Sequence, residues 1–243
     1  MDWKPITGEN AWGLFIGPLQ VAHLKQQATS QTYVPFSSVA VQNALQTLLA
    51  LRAMQSQIGA VYYACQGSLG NTGDQPVDPY EVSVENNASA LAGLLIFEKI
   101  LEDELAYETD LSSAQKTQAQ TALSQIGAMI HGGQTPQGTQ TAGLLSFFQN
   151  QAWNISLGIF YQGGDANNPK LSSPWIPTAE PKAVDVSTWG VSVLSQPLID
   201  SWHEFGTCYN IWQNVKQWGG FYGPDGALWG VGYSGQDGNG PST

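Results

Sequence analysis

Three acidic residues, Glu9, Glu85 and Asp185, hold matching places in the chain, each opening an apolar run of helical character: "TGENAW" at 7–12, "SVENNAS" at 83–89 and "VDVSTWG" at 184–190. Two carboxyl groups on either side of a substrate suffice for glycoside hydrolysis, set roughly 5–5.5 Å apart for retention or ~6.5–9.5 Å for inversion. Glu85 is the expected general acid, because Val82 and Val84 precede it and apolar surroundings raise a carboxyl pKa. Asp185 is then the base, and Glu9 a binding or alternative catalytic group. The competing reading is structural. Asp185, Ser187 and Thr188 can each accept hydrogen bonds from the unpaired N–H groups of a first helical turn. Glu is a poorer cap than Asp or Ser, so Glu9 and Glu85 suit that role less well.

Aromatic and amide side chains accompany these acids. Trp12 and Trp189 follow Glu9 and Asp185 by about one helical turn, which turns each toward the face of its acid. Tyr62, Tyr161 and Tyr222 lie in short glycine-flanked segments, "GAVYYACQG", "GIFYQGG" and "GGFYGPDG". Aromatic faces stack on the C–H faces of sugar rings, and Asn86, Asn87, Gln66 and Gln162 can read hydroxyls. These aromatics serve equally well as core wedges, and Trp202 and Trp212 are expected in that role. Other chemistries find less support. His23, His131 and His203 are scattered without the spacing of a zinc site, and no phosphate-cradling or dinucleotide glycine motif occurs. Ser195 and Ser201 lack a nucleophile elbow. No metal and no cofactor is expected. A lyase with a tyrosine base stays open.

The elements that must position these groups are helices. Apolar residues recur at helical spacing over 9–27, 37–57, 85–107 and 112–131, with Ser112 as a cap, and over 186–196 and 198–217 on either side of Pro197. Pro18 predicts a kink or break in the first helix. Each acidic start leads into helices and then into a Gly-x-apolar-Tyr segment, at uneven intervals that exclude a fixed-period solenoid. The stretches 67–82 and 163–183, rich in Gly, Pro, Asn and Asp, read as loops. The expected fold is all-α: a single domain over 1–231 built as an α/α toroid-like array of helical hairpins with short aromatic strand-like segments, followed by a Gly-rich tail at 232–243.

The phrases "TGENAW", "VSVENNASALAGL", "VDVSTWGVSVL" and "GGFYGPDGALWGVGYS" resemble successive landmarks of bacterial α/α-barrel proteins of the six-hairpin glycosidase type. The resemblance covers most of the chain in order, through short motifs. It implies a toroid acting on glycans, with catalytic carboxylates where inner helices begin. A full six-hairpin barrel needs more chain than this one has, so the resemblance also implies a small or open ring, a fragment, or a ring completed by self-association or another segment.

Composition narrows the partners. Charged residues make up 11% of the 243 residues, against roughly 25% in typical soluble domains. The net charge of −11 repels phosphate backbones and anionic lipids, so nucleic acid and membrane-surface partners are set aside. No apolar run reaches the ~20 residues of a membrane span. An uncharged, hydrogen-bonding surface suits an oligo- or polysaccharide partner and an extracellular or cell-envelope setting, although the first residues do not read as a signal peptide. The expected activity is hydrolysis of a neutral polysaccharide; the alternative is a non-catalytic glycan-binding or self-assembling protein. Cys65 and Cys208 allow at most one disulfide.

Overall fold

The computed structural model describes residues 6–68, 76–134, 138–178 and 183–232. The first helical stretch runs through α1 (Thr7–Asn10), a π-helical turn (Ala11–Ile16) and α2 (Gly17–Ala28), followed by α3 (Val39–Ala53). Strand β1 (Glu81–Ser83) leads directly into α4 (Val84–Tyr107), and α5 (Ser113–His131) returns alongside it. A hairpin of β2 (Gly132–Gln134) and β3 (Gln140–Ala142) precedes α6 (Leu144–Asn150). Strands β4 (Trp153–Asn154), β5 (Ile159–Phe160), β6 (Gly163–Ala166) and β7 (Trp175–Thr178) come next, then α7 (Val184–Leu194), α8 (Gln196–Trp202) and α9 (Thr207–Gly219). The hairpin β8 (Gly220–Tyr222) and β9 (Leu228–Val231) closes the described chain.

The all-α expectation is corrected: the protein is mixed α/β, 55% helical and 16% strand, with several small antiparallel sheets. The largest sheet among the described residues runs in the order β1-β6-β7, pairing Val82 with Gly164 and Gly164 with Pro177. Its strands come from stretches read as loops. β6 begins with two glycines and lacks the alternation of apolar and polar residues that marks a strand, so its sequence carries no period of two. Those glycines are needed for the pairing, since a side chain at Gly163 would collide with the Val82 carbonyl.

Most helices arise where their periodicity predicts, but the stretch 198–217, read as one helix, is split into α8 and α9, and α6 has no counterpart in that reading. Ser112 forms a reciprocal capping box with Gln115 at the start of α5. Pro18 neither breaks nor ends the first helix. The turn before it widens, with the Gly17 N–H reaching the Trp12 carbonyl, and Pro18 falls in the first turn of α2 where its missing N–H costs nothing. Near Pro197 the chain does break, through Ser195 at φ 70°.

Helix α4 is the centre of the packing. It contacts the π turn, α2, α3, α5 and α7, which explains why its buried residues lie on more than one face. Gly93 allows a close approach: an added Cβ would stand 2.6 Å from the Phe15 ring. Phe15 in turn meets Phe97 edge to face at 5.4 Å. A second aromatic cluster ties α6 to the strands, with Phe147 against Trp175 at 5.4 Å and Phe148 against Phe160 at 6.0 Å. Each such fully buried side chain contributes roughly 1.5–3 kcal/mol. Of the predicted tail, Gly232 is tied back by its N–H to the Gly219 carbonyl at 2.7 Å; 233–243 lie outside the described residues.

Candidate functional site

The site forms where α1, α4 and α7 begin. At the start of α4, Ser83 is the cap, its Oγ accepting the Asn86 N–H at 3.2 Å. The Val84 N–H goes to the Gln162 carbonyl at 3.0 Å. With these donors satisfied, Glu85 is released from capping and lines a cleft instead. Asn87, its near neighbour, is structural. Its Oδ1 accepts the Val61 N–H at 2.7 Å, and its Nδ2 donates to the Val61 and Ser83 carbonyls at 2.9 and 2.8 Å. This side chain fastens the segment 60–64 to α4. The same segment binds α1 through the Thr7 N–H to the Tyr63 carbonyl (2.8 Å) and β1 through the Tyr63 N–H to the Glu81 carbonyl (2.7 Å). At α7 no side chain caps the helix from its N-cap position. Asp185 takes the Val186 N–H at 2.8 Å on Oδ1 while also lining the cleft, so it serves both roles.

The cleft has a volume of about 530 Å³. Its walls are β1, β6 and the first turns of α4 and α7, and Asp78, Glu81, Glu85, Asp165 and Asp185 all line it. A second depression of about 620 Å³ holds Glu9 and Trp12. Tyr63, Glu85 and Asn86 line both, so the two depressions adjoin and make up one composite groove. Asn86 is buried, and its Nδ2 is without a hydrogen-bond partner.

Burial raises the Glu85 pKa and the Asp185 charge adds to the rise, while a hydrogen bond from Ser89 opposes it. Burial likewise raises Asp185, opposed by the Val186 N–H. Tyr63 is raised by burial and then by Glu81, Glu9 and Glu85, a sign of how much negative charge surrounds its hydroxyl. Behind Glu85 a chain of donors runs inward: Ser89 Oγ donates to Glu85 Oε1 at 3.0 Å, and Trp189 Nε1 donates to Ser89 Oγ at 3.0 Å. Trp189 stacks on Trp12, centroids 5.2 Å apart and planes 29° from parallel.

Glu9, Trp12, Glu85, Asn86 and Asp185 thus meet along one groove, with Trp189 packed on Trp12. Three expected sugar-binding tyrosines are elsewhere. Tyr62 lines a separate cavity of about 220 Å³ with Met54, Gln66 and Tyr80. Tyr161 lies in the turn between β5 and β6, its N–H on the Ala152 carbonyl at 2.8 Å, and does not line the groove. Tyr222 belongs to β8, its hydroxyl directed at the Lys216 carbonyl at 3.3 Å. Neighbours in an extended segment face opposite ways, which is why Tyr63 reaches the groove and Tyr62 does not. The first two aromatic segments do occupy equivalent places: Tyr63 and Gln162, each just after the predicted tyrosine, give their carbonyls to the first turns of α1 and α4. The third makes a hairpin of its own.

The sequence reading missed Tyr63, Asp78, Glu81, Ser89 and Asp165. Only Ser89 carried a signal, its spacing of four residues from Glu85 on one helix. Among the described residues no group of His, Cys, Asp or Glu is arranged to hold a metal ion. Cys65 and Cys208 are both free thiols. The chain has two Asn-x-Ser triplets, Asn87-Ala-Ser89 and Asn154-Ile-Ser156, and the Asn of each is buried.

Fold and groove together define an α/β protein with a carboxylate-lined cleft at the start of packed helices. The chain has no significant match among protein-family profiles, curated proteins or solved structures.

Proposed function

We propose that the protein is a glycoside hydrolase acting on a neutral polysaccharide in an extracellular or cell-envelope setting, with Glu85 as general acid and Asp185 as base. The observation that carries this reading is the convergence of Glu85 and Asp185, from the first turns of adjacent helices, on one cleft in which burial raises both carboxyl pKa values. Like charges in one cleft oppose joint ionisation, so the pair favours one protonated and one ionised carboxyl, the roles assigned here to Glu85 and Asp185. A proton passes from Glu85 to the glycosidic oxygen, and Asp185 takes one from the attacking water. Glu9, Trp12 and Asn86 extend the groove and bind the adjoining sugar, Trp12 by stacking and Asn86 through its unpartnered amide. No cationic side chain lines the groove among the described residues, which favours uncharged hydroxyl-rich ligands over polyanions.

A Glu85→Gln variant tests the reading, because the amide keeps the shape and loses the transferable proton. Hydrolysis of a panel of neutral glucans should fall by ~10²–10⁴-fold while the melting temperature stays nearly constant. An undiminished rate in the variant would remove Glu85 from the chemistry. A parent protein that cleaves none of the panel would leave the second reading, a non-catalytic glycan-binding or self-assembling protein. That reading draws support from the aromatic side chains left in solvent, Phe205 (93% exposed), Tyr209 (64%) and Trp229 (62%).

A further inference from the structure

Ser89 is fully buried on α4, one turn after Glu85, and its hydroxyl has a partner on each side. The indole of Trp189 can only donate, so it occupies an acceptor site of the Ser89 oxygen. The single Ser89 proton then points the other way, to Glu85 Oε1. The serine oxygen keeps a second lone pair, and what sets the direction is that Glu85 is the acceptor found for the Ser89 proton among the described contacts. A carboxyl oxygen that accepts this bond is a poor place for a proton, since protonating it would set two donors against each other. The proton of the neutral acid therefore belongs on Oε2, the oxygen not held by Ser89.

We propose that Ser89 and Trp189 are positioning residues: the hydrogen-bonded chain Trp189–Ser89–Glu85 fixes the Glu85 carboxyl with Oε2 as its proton-bearing oxygen, and joins it to the Trp12 stack. The inference rests on the reading of Glu85 as the acid. Trp12, 46% exposed, covers one face of the Trp189 indole and so restrains the plane from which its N–H is delivered. The ionisable groups around Glu85 come from every neighbouring element: Glu9 from α1, Tyr63 from the 60–64 segment, Glu81 from β1, Asp165 from β6, Asp185 from α7, and Asp78 ahead of β1. None of these supplies a hydrogen bond to Glu85 Oε1 among the described contacts; Ser89 does. A bond to a carboxylate favours its ionised form, so removing Ser89 raises the Glu85 pKa, and removing the indole N–H raises it less.

The test is a pH titration of the full chain by NMR, following the carboxyl carbon of Glu85 and the indole N–H of Trp189. In the parent the indole resonance should move with the same midpoint as Glu85, and it should be flat in Glu85→Gln. In Ser89→Ala the indole should stop following Glu85 and the Glu85 midpoint should shift upward. Trp189→Phe keeps a ring against Trp12 and deletes the donor, and should give a smaller upward shift; it serves if Ser89→Ala fails to fold. An indole that is flat in the parent, or that still titrates in Glu85→Gln, overturns the proposal. So does a Glu85 midpoint unmoved or lowered in the variants. Neither readout needs a substrate. A protein that titrates as stated and cleaves no glycan loses the hydrolase reading and keeps the chain. One that cleaves glycan with a flat indole keeps the hydrolase reading and loses the chain.

Discussion

Glu104 lies inside α4 with both carboxyl oxygens buried and without hydrogen-bond partners. Burial, reinforced by the charge of Glu108, pushes its pKa up to about 9, so at neutral pH it is an uncharged acid in the core. The folded chain therefore holds a proton that the unfolded chain releases in the ordinary carboxylate range. The resulting stability is complete below that range, declines as pH rises, and is gone once pH passes about 9. Glu85 and Asp185 are shifted in the same direction and add to the decline at its acidic end. Replacing Glu104 by Gln removes the ionisation. Thermal melts should show the variant melting higher than the parent at pH 9, by about 5 °C or more, with the gap narrowing toward pH 5. A parent whose melting temperature is the same at both pH values would show that Glu104 does not titrate in this range. A sequence cannot announce such a residue. In "EDELAY" nothing local sets Glu104 apart from Glu102 and Asp103, and only the packing of neighbouring helices decides which carboxyl is enclosed.

At the scale of elements, the join between the 60–64 segment and α4 rests on Asn87. Its loss would leave the Val61 N–H and carbonyl buried without partners, each costing ~1–3 kcal/mol. Asn87→Ala should accordingly destabilise the protein by about 2–6 kcal/mol, read as a lower midpoint of urea unfolding. A change within experimental error would place the join elsewhere, for instance in the Tyr63 bonds to Thr7 and Glu81. Asn86 and Asn87 look alike in "VENNAS", yet one lines the groove and the other splices backbone. The Ser112 cap of α5 was legible because its partner Gln115 is local, three residues on. The Asn87 bonds were not, since Val61 lies 26 positions away. The same distinction separates α7, visible from its periodicity, from the sheet β1-β6-β7, whose strands acquire meaning only when paired.

For the whole molecule, the net charge of −11 and the carboxylate-lined groove act together on any ligand. Neutral oligosaccharides should bind with little dependence on salt. Polyuronates of similar length should bind about tenfold more weakly at low ionic strength, a gap that closes as salt screens the groove. Calorimetric titration of both classes at two salt concentrations checks this. Equal affinities at low salt would mean that cationic groups offset the acids lining the groove.

What the sequence by itself determined were the features carried by near neighbours. Helix positions follow largely from a repeat of 3.6 residues, the start of α5 from the Ser112 cap, and the three acidic helix starts from motifs that recur in order. Those starts do meet in one groove, because helices α1, α4 and α7 begin at the same end of a row in which α4 packs against the other two. Tertiary structure alone decided the rest. It made a mixed α/β protein of one that reads as all-α, because glycine-rich strands are stabilised by pairing partners and not by their own side chains. It chose Tyr63 over Tyr62 through the alternation of an extended backbone docked on α4. It also linked Glu85 to Trp189, 100 positions beyond Ser89, since a hydrogen bond depends on distance in space and the chain length between its partners leaves no mark on it.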